Sequence, residues 1–539
     1  MMVQKHFPRR PIKVEPFWQK QSSRIVSGIA GIALFVTAIV VLGYSIRPLL
    51  QEDVCDGLPD GVTEADGEKV GYRLCGMPFW AGDDEKGIWE NKIYEANRTV
   101  RKEDKRGFVT ILVVTSLASP DGPESVVPET QGLSGVYAAQ REINERGSGP
   151  KVRLAVVNTG RGGAKVKEAL DEVQDLIDAD KNDADKNRVI GAVTSINSTV
   201  LAKKELQRLD DVGIVQVSPT MTADGFGSKM HHFFQLVSPN KLQSDAVIHY
   251  VVTSANGKVG HLLQVSPGGP DDLYVTSLFD AVQGHLEELK SARIDFQRLA
   301  WSQGGNGDLS IACAKRGEYE AVFFGGRYIQ FGEFAEDLRD ACGRKMPKLI
   351  ADDSTSRFLM DAKLTRGMRY GIEATIVSRG PLLTCAQLNT LTGKDPSWRR
   401  DFADALRDAT GRCSDPQSRD DALAGGWTPN AYDAVELLHD PFTYAQVEDP
   451  DKMRSQLSVK LEETNGVERG TVSPIHFADR VSDRGVWLYH VPELRTMFAA
   501  GRSPAKDSAT PVMCYGNSYA EETAPGRCVA PSASSSTRK

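Results

Sequence analysis

Short apolar runs alternate with longer segments of helical periodicity over most of this chain. The runs are continuous rather than alternating, which predicts strands that are covered on both faces, as in parallel sheets. The segments between them carry apolar residues every three or four positions, which predicts helices packed on those sheets. The alternation restarts near Ser238, so the pattern predicts an α/β fold with two lobes, each built on a parallel sheet. The strands predicted in this way span 108–114, 152–157, 189–193, 214–217, 233–237, 259–265, 294–299, 321–324 and 348–351.

Polar side chains follow the third and fourth of these predicted strands. Ser195 and Ser198 lie in the turn after the third strand, and Thr220 and Thr222 lie after the fourth. Ligands of open α/β sheets bind beyond the carboxyl ends of the strands, so both hydroxyl clusters are predicted to face one crevice. Two alternatives stay open from the residues alone. Ser198 or Thr199 caps the following helix, and the second cluster forms an ordinary turn.

The segment from Ile25 to Ile46 contains no charged residue and is long enough to cross a bilayer as a helix, which needs about 20 residues. Lysines and arginines precede it, so the positive-inside rule places the N-terminus in the cytoplasm and the rest of the chain outside. A cleaved signal peptide would have a shorter apolar core, of roughly 7–15 residues, and a small-residue cleavage site. The acidic residues before Cys55 also disfavour a lipid-modified cysteine. We therefore expect a single-pass cell-membrane protein with an uncleaved anchor and an extracellular main domain.

All eight cysteines lie after this apolar segment, which is typical of an oxidising compartment. Eight cysteines allow 105 pairings, and short loops favour pairing between neighbours along the chain. The net charge of −7 argues against a general nucleic-acid-binding protein, because such proteins carry a basic face. No cysteine or histidine spacing is typical of a metal site. The expected disulfides are Cys55–Cys75, Cys313–Cys342, Cys385–Cys413 and Cys514–Cys528.

With 539 residues, the chain is long enough for two or three domains. We expect lobe 1 at 108–237 plus 375–445 and lobe 2 at 238–374 plus 446–495, with a hairpin formed by 471–477 and 486–489. The flanking segments are expected to be a cytoplasmic tail at 1–24, a transmembrane helix at 25–46, a juxtamembrane extracellular segment at 51–107 and a C-terminal tail at 496–539.

Catalytic motifs are absent from the sequence. It contains no G-x-S-x-G, H-E-x-x-H or C-x-x-C, and no motif places a nucleophile beside a base. The run from Gly160 to Lys165 lacks phosphate-loop spacing and predicts a plain turn. We therefore predict a protein that is not an enzyme, with no catalytic residue, no metal and no cofactor.

Four segments, in the same order along the chain, follow the motifs of a known family. They are Gly132 to Asn144 with its final Ile-Asn pair, Val189 to Thr222, Glu320 to Gly332 and Ala431 to Val435. In these segments the chain resembles the branched-chain amino-acid and amide branch of the substrate-binding proteins of ABC transporters, which have the type I periplasmic-binding fold. The likeness spans about residues 108–495. It implies two Rossmann-like lobes with parallel sheets, joined by several chain crossings and closing around a ligand like a hinge.

The resemblance also implies roles for single residues. In the family, hydroxyls of two lobe-1 loops hold the ligand's carboxylate. The resemblance assigns this role to Ser195, Ser198, Thr220 and Thr222. An acidic lobe-2 residue holds the ligand's amino group, and Asp353 matches it, with the adjacent Asp352 as an alternative. A buried ammonium needs such a partner to offset its desolvation. Tyr274 matches a tyrosine that closes over the ligand, and Arg327 stands where many members have an aromatic residue.

Other interpretations of these residues stay open. Asp353 is also placed to cap the helix that starts near Thr355, Tyr274 to pack on the lobe surface, and Arg327 to be a solvated loop residue. Because Arg327 and the acidic, Pro-rich loop from Ser116 to Glu129 depart from the family pattern, an acidic or amide-bearing ligand fits as well as an aliphatic amino acid.

The leading hypothesis is a membrane-anchored extracytoplasmic solute-binding protein that captures an amino acid or small amide for an ABC importer. The expected partners are this ligand, an ABC permease or a signalling partner, and the membrane, with no nucleic acid. Two alternatives use the same fold. One is a receptor or accessory ectodomain that senses a ligand, and the other is an extracellular scaffold whose cleft no longer binds one.

Overall fold

The structure is a computed structural model that describes Leu58 and residues 60–80, 85–100, 106–117, 127–182, 187–255, 260–267, 269, 271–289, 294–302, 309–313, 321–360, 362–380, 397–410, 426–443, 449–463, 470–473, 475–494 and 510–515. Within these residues, no helix is both long and apolar enough to cross a membrane. The predicted transmembrane segment at 25–46 and the predicted cytoplasmic tail at 1–24 lie outside the described residues.

The described elements form two sheets flanked by helices. The strands are β1 (Asp60–Ala65), β2 (Glu68–Arg73), β3 (Phe108–Thr115), β4 (Lys151–Asn158), β5 (Val189–Ser195), β6 (Val215–Ser218), β7 (Phe233–Gln235), β8 (Gly260–Ser266), β9 (Ile294–Ala300), β10 (Ala321–Phe324), β11 (Lys348–Ala351), β12 (Ala374–Ser378), β13 (Phe477–Ala478), β14 (Val481–Ser482), β15 (Val486–Val491) and β16 (Thr510–Tyr515). The helices are α1 (Glu85–Thr99), α2 (Val127–Arg146), α3 (Val166–Asn182), α4 (Val200–Asp211), α5 (Asn240–Ser254), α6 (Leu273–Leu289), α7 (Tyr328–Cys342), α8 (Thr355–Met360), α9 (Ala362–Gly367), α10 (Ser397–Thr410), α11 (Trp427–His439) and α12 (Pro450–Glu463).

The first sheet has nine strands in the order β1-β2-β4-β3-β5-β6-β7-β14-β13. Its centre, from β4 to β7, is parallel, and every residue of β3 is buried because helices cover both faces. One face packs against α1, α2, α10, α11 and α12, and the other against α3 and α4. The α2–α11 contact is close, since a Cβ on Gly135 would lie 2.2 Å from the carbonyl oxygen of Thr428.

The second sheet has seven strands in the order β16-β15-β12-β11-β10-β8-β9. The five strands from β9 to β12 are parallel, whereas β15 and β16 are antiparallel to their neighbours. Helices α7 and α8 cover one face, and α5 and α6 cover the other. The prediction of an α/β fold with two lobes is confirmed, with the difference that both sheets are mixed rather than parallel.

The chain crosses between the sheets after β7, after β12 and between β14 and β15. The second and third crossings differ from the predicted lobe extents. Strand β12 lies in the second sheet although lobe 1 was expected to resume at 375, and α12 packs on the first sheet although lobe 2 was expected from 446. The periodicity of α12 predicts a helix with one apolar face, but it does not state which of two sheets that face covers.

Two segments expected to lie outside the lobes contribute edge strands. Within the predicted juxtamembrane segment at 51–107, β1 and β2 extend the first sheet through an antiparallel pairing of β2 with β4. Within the predicted C-terminal tail, β16 pairs with β15. The predicted hairpin of 471–477 with 486–489 is wrong, because β15 pairs with β12 and β16 instead. These segments are mostly polar, and β2 and β16 join their sheets by pairing with distant segments, so the sequence pattern did not predict them.

The disulfide Cys313–Cys342 is formed as predicted, with its Cα atoms 5.2 Å apart. Cys75 and Cys514 are also disulfide-bonded. Their predicted partners, Cys55 and Cys528, lie outside the described residues, as do Cys385 and Cys413, so these three pairings stay predictions.

Candidate functional site

A polar cavity lies between the two lobes, at the carboxyl ends of their parallel strands. The loops after β5 and β6 line it from the first lobe, and the segments after β8, β10, β11 and β12 line it from the second. Its volume of about 20 Å³ is room for about one water molecule. The lining residues are Ile196, Asn197, Ser198, Thr220, Tyr274, Arg327, Tyr328, Ser354, Arg357, Arg379 and Trp427.

Hydroxyl groups that bond to one another and to nearby backbone fix the first-lobe wall. Thr199 caps α4, because its hydroxyl accepts a hydrogen bond from a backbone N–H three residues later at 3.1 Å. Ser195 donates to the hydroxyl of Thr220 at 3.3 Å. Ser218 donates to the carbonyl of Thr194 at 2.9 Å, which holds the second hydroxyl loop beside the first. The cap therefore belongs to Thr199 and leaves the side chain of Ser198 at the cavity.

The seven predicted ligand-binding residues divide into two groups. Ser195 lies behind Thr220, Asp353 lies behind Tyr274, and the buried hydroxyl of Thr222 has no hydrogen-bond partner among the described residues. The predicted residues that line the cavity are Ser198, Thr220, Tyr274 and Arg327.

The two adjacent aspartates after β11 have different partners, although both are fully buried. Asp352 accepts hydrogen bonds from the backbone N–H of Gly326 at 2.7 Å and of Thr355 at 3.3 Å. It therefore caps α8, which is the role considered for Asp353 in the sequence. Burial raises the pKa of Asp352 to about 6. Asp353 instead accepts a hydrogen bond from the hydroxyl of Tyr274 at 2.7 Å.

Asp353 also forms an ion pair with Arg379, which follows β12. The Nε of Arg379 donates to Asp353, and its Nη1 donates to the carbonyl of Thr220 at 2.6 Å, so this side chain joins the two lobes. Burial lowers the pKa of Arg379 to about 10, which keeps it charged at neutral pH. Burial, with the charge of Asp352, raises the pKa of Tyr274 well above its ordinary value. A protein cation thus occupies the position beside Asp353 that was predicted for the ammonium of a ligand.

Arg327 forms a second ion pair at the cavity. Its Nε and Nη2 each bond to a carboxylate oxygen of Asp272 at 2.7 Å, and its guanidinium lies 4.8 Å from the ring centre of Tyr274. Nη1 donates to the side-chain oxygen of Asn197 in the first lobe at 3.4 Å. Asp272 also pairs with Thr199 through an isolated β-bridge. The side chain predicted as a ligand contact is therefore engaged in closing the cleft.

Arg357 forms a third pair, which ties α8 to the first lobe. One terminal nitrogen donates to Glu129 of α2 at 2.7 Å, and the guanidinium lies 4.1 Å from the ring centre of Trp427. Both partners of the ion pair are about one tenth exposed, at 10 % each. The Nε of Arg357 and the indole Nε1 of Trp427 are buried with no hydrogen-bond partner among the described residues.

The charges around the cavity are arranged in two shells. Three guanidinium groups line it, whereas their carboxylate partners Asp272, Asp353 and Glu129 are not among the lining residues. Each guanidinium lies against an aromatic ring, which favours a cation through the electron density of the ring face. The cavity wall is therefore cationic and rich in donors.

Sequence reasoning missed Arg357, Arg379 and Trp427. A signal was present for Arg379, because it directly follows an apolar strand at the edge where α/β sheets bind ligands. No signal of this kind marks Arg357 or Trp427, since each reaches the cavity from the first turn of a helix that serves other contacts.

The arrangement is suited to binding. No histidine or carboxylate is among the residues that line the cavity, and the carboxylate bonded to the Tyr274 hydroxyl, that of Asp353, is already paired with Arg379. Within the described residues, no group of three or more His, Cys, Asp or Glu is placed to hold a metal ion. What the cavity supplies is a set of hydrogen-bond donors, three cations and aromatic faces.

No family model matches the chain, and no curated protein matches its sequence. Its structure is similar to that of an ABC transporter substrate-binding protein from Desulfitobacterium hafniense in complex with Leu, with 19 % identity, a TM-score of 0.50 and coverage of 71 % of this chain and 97 % of the other. It is also similar to a possible leucine/isoleucine/valine-binding protein from Rhodopirellula baltica, with 14 % identity, a TM-score of 0.53 and coverage of 76 % and 96 %.

A third similar structure is a branched-chain amino acid transporter substrate-binding protein from Streptococcus pneumoniae in complex with isoleucine. Its identity to this chain is 14 % and the TM-score is 0.52, with coverage of 75 % of this chain and 99 % of the other. All three are matched over almost their whole length, and in all three the identity is low enough that the likeness concerns the fold. The chain has the type I periplasmic-binding fold of leucine/isoleucine/valine-binding substrate-binding proteins.

Proposed function

We propose that this protein is a membrane-anchored extracytoplasmic solute-binding protein that holds a small carboxylate- or amide-bearing solute between its lobes. The observation that carries the proposal is the cavity, where the hydroxyl loops of the first lobe meet the cationic wall of the second. The structural neighbours bind leucine and isoleucine, which makes an amino acid or its amide the starting class of ligand. The bound form would be handed to the permease of an ABC importer.

The position at the membrane rests on separate support. The apolar segment from Ile25 to Ile46 has the length and the flanking charges of a single-pass anchor. The disulfide Cys313–Cys342 supports an oxidising compartment for the lobes. Exposure of this domain on the outer side, with a short cytoplasmic tail, is therefore part of the proposal.

Isothermal titration calorimetry of the full chain in detergent tests the binding function. The panel contains leucine, isoleucine, valine, asparagine and glutamine with the corresponding carboxylic acids, and we expect saturable heat from at least one compound. Ser198→Ala removes a hydroxyl from the cavity and is expected to weaken that compound by about tenfold, as the loss of one hydrogen bond does.

Ser228→Ala is the matched control, because its hydroxyl is exposed and bonds only a nearby carbonyl. If a folded protein binds neither a compound of this panel nor a small dicarboxylate, solute binding as proposed is wrong. Equal weakening by the two serine variants would contradict the assignment of the cavity as the binding site.

One observation favours a second function. The cavity of about 20 Å³ is far smaller than the roughly 300–1,000 Å³ of ordinary ligand sites, and hydrogen bonds from Arg327, Arg357 and Arg379 to the first lobe close it. A closed cleft of this kind suits an extracellular scaffold, or a receptor that opens only on contact with its partner. Small-angle scattering with and without the panel compounds separates these functions, since a solute-binding protein compacts from an open form and a scaffold keeps one shape.

A further inference from the structure

We propose that the solute of this cleft is a small dianion with two carboxylate groups and no ammonium group. The proposal rests on the solute-binding function above and names its substrate class. The features that carry it are the two arginines beside Trp427, the screened carboxylate of Asp353 and the unpartnered donors at the cavity.

The first step concerns the missing site for a ligand cation. Asp353 is fully buried and already neutralised by Arg379, and its other contact is the hydroxyl of Tyr274. An ammonium group entering the cavity would meet the guanidinium of Arg379 before it met Asp353, because the arginine lines the cavity and the aspartate does not. A desolvated ammonium without a carboxylate partner is strongly unfavourable. Zwitterionic amino acids are therefore disfavoured.

The second step concerns the donors that stay unused. Arg357 is 9 % exposed and Trp427 is 4 % exposed. The Nε–H group of the arginine and the Nε1–H group of the indole ring are both hydrogen-bond donors. In both side chains this nitrogen is buried without a hydrogen-bond partner among the described residues. A buried donor without an acceptor is unfavourable, so a ligand that supplies acceptor oxygens is favoured beside it. Both nitrogens belong to residues that line the cavity, and both lack an acceptor within the described part of the chain.

The third step concerns the number of acidic groups. The guanidiniums of Arg357 and Arg379 lie 4.1 and 5.1 Å from the ring centre of Trp427, so two cations share one aromatic residue. The ion pair of each arginine with a protein carboxylate uses one of its nitrogens, Nη2 in Arg357 and Nε in Arg379. Two adjacent cations suit one carboxylate each, or one carboxylate with the second held by the hydroxyls of Ser198 and Thr220. Since each guanidinium is already paired with a protein carboxylate, it offers its remaining N–H groups, and both arrangements use two carboxylates of one ligand.

The size follows from the cavity. Because its volume is about 20 Å³, the lobes must part for any solute to enter, and a compact ligand needs the least separation. The Arg357–Glu129 pair joins the lobes directly, and Arg327, which is paired with Asp272 in the second lobe, reaches Asn197 of the first. These contacts would re-form over a short ligand. Short dicarboxylates, such as those of four to six carbons, present two carboxylates on one compact chain.

Titration calorimetry of the full chain with matched acid pairs tests the ligand class. The probes are succinate, glutarate and adipate, each beside the amino acid that differs only by an added ammonium: aspartate, glutamate and 2-aminoadipate. Leucine and glutamine complete the set. We expect one of the diacids to bind about tenfold or more tighter than its amino counterpart and than leucine, since 1.4 kcal/mol corresponds to tenfold.

Two variants locate the binding. Arg357→Met is expected to weaken the preferred diacid by about tenfold or more, whereas the exposed control Arg141→Met leaves it unchanged. Arg379→Met uncovers Asp353 and is expected to reverse the preference, so that the amino acid of the pair binds tighter than the diacid. If Arg379→Met does not fold, the Arg357→Met result decides.

The outcomes separate the two proposals. If leucine or glutamine binds and the diacids do not, the dianion is wrong while solute binding stands. If no probe binds to a folded protein, both the ligand class and the proposed function are wrong. A diacid that binds the wild type and Arg357→Met equally well overturns the arginine site.

Discussion

Two buried arginine–aspartate pairs in this molecule have the same chemistry but different surroundings. Arg484 and Asp433 meet at 2.5 Å with side chains 1 % and 4 % exposed, and Arg379 and Asp353 are 6 % and 0 % exposed. Asp433 receives three further hydrogen bonds from the N–H and hydroxyl of Thr471, at 3.0 to 3.1 Å. The second pair instead borders the cavity.

The comparison shows that a buried ion pair is not by itself a sign of function. Asp433 belongs to one of the segments that resemble the family, yet its contacts join α11 to the chain crossing before β15 and have no access to the cavity. Arg379 belongs to no such segment, yet it touches both lobes and the cavity. Position at the carboxyl edge of the sheet separates the two pairs, and charge and burial do not.

The largest effect is expected at the Arg484–Asp433 pair, whose carboxylate also accepts the hydrogen bonds from Thr471. Asp433→Ala leaves the guanidinium of Arg484 buried without its carboxylate, which should lower the free energy of unfolding by about 3–5 kcal/mol. Urea unfolding followed by tryptophan fluorescence measures the loss. Asp404→Ala is the control, because Asp404 forms an exposed pair with Arg407 and its removal should change stability by less than about 1 kcal/mol. Similar values for the two variants would contradict the structural role of Asp433.

Asp352 supplies a third case, a buried carboxylate held by hydrogen bonds instead of an arginine. Its pKa is raised to about 6 by burial, from 3.8, so the folded state keeps a proton that the unfolded state releases. Its contribution to stability is therefore complete below about pH 4, falls as the pH rises through 6, and stays low above it.

The measurement is the free energy of unfolding from pH 4.5 to 7.5 for the wild type and Asp352→Asn. Over this range, the free energy of unfolding of the wild type should fall with rising pH more steeply than that of the variant. The difference in slope corresponds to at most about one proton. Other buried acids with raised pKa values, such as Glu90 at about 7, add slope of the same sign to both proteins and cancel in the difference. Parallel curves would show that Asp352 is ionised to the same extent in both states.

A smaller loss of stability is expected at the cleft pair. Arg379→Met leaves Asp353 without its cation, but the hydroxyl of Tyr274 still bonds to it, and the adjacent cavity has room for about one water. We expect a cost of about 1–3 kcal/mol, less than that of Asp433→Ala in the same urea experiment. A cost equal to or greater than that of Asp433→Ala would show that the Arg379–Asp353 pair contributes as much to stability as the Arg484–Asp433 pair.

The sequence predicts well the parallel strands and the edge of the sheets at which the cavity lies. The continuous apolar runs at β3, β5 and β10 locate the parallel strands, because a strand covered on both faces has few polar residues. The carboxyl edge then follows from the parallel topology, and it places Ser198 and Thr220 near one cavity. These conclusions need only local patterns and one topological rule.

Contacts between distant segments were not accessible in this way. Strand β16 pairs with β15 from a later part of the chain, and α12 has an apolar face that fits either sheet. The partner of Asp353 was likewise unpredictable, since Arg379 is 26 residues away and pairs with it only across the strand edge. A resemblance places a carboxylate in the site, but the cation that screens it is particular to this chain.

The smallest effect is expected at the outermost pair, Arg327–Asp272, whose side chains are 20 % and 22 % exposed. Asp272 has a second role, because it accepts a hydrogen bond from the backbone N–H of Tyr274 at 3.1 Å at the start of α6. Asp272→Asn keeps that cap, since asparagine caps a helix as well as aspartate does, and removes only the charge. We therefore expect stability to fall by no more than about 1 kcal/mol, and this difference to shrink at 1 M salt, where charges at a partly solvated pair are screened. Urea unfolding at low and high salt measures both values, and a loss above about 2 kcal/mol, or one that salt does not change, would show that this pair belongs with the buried ones.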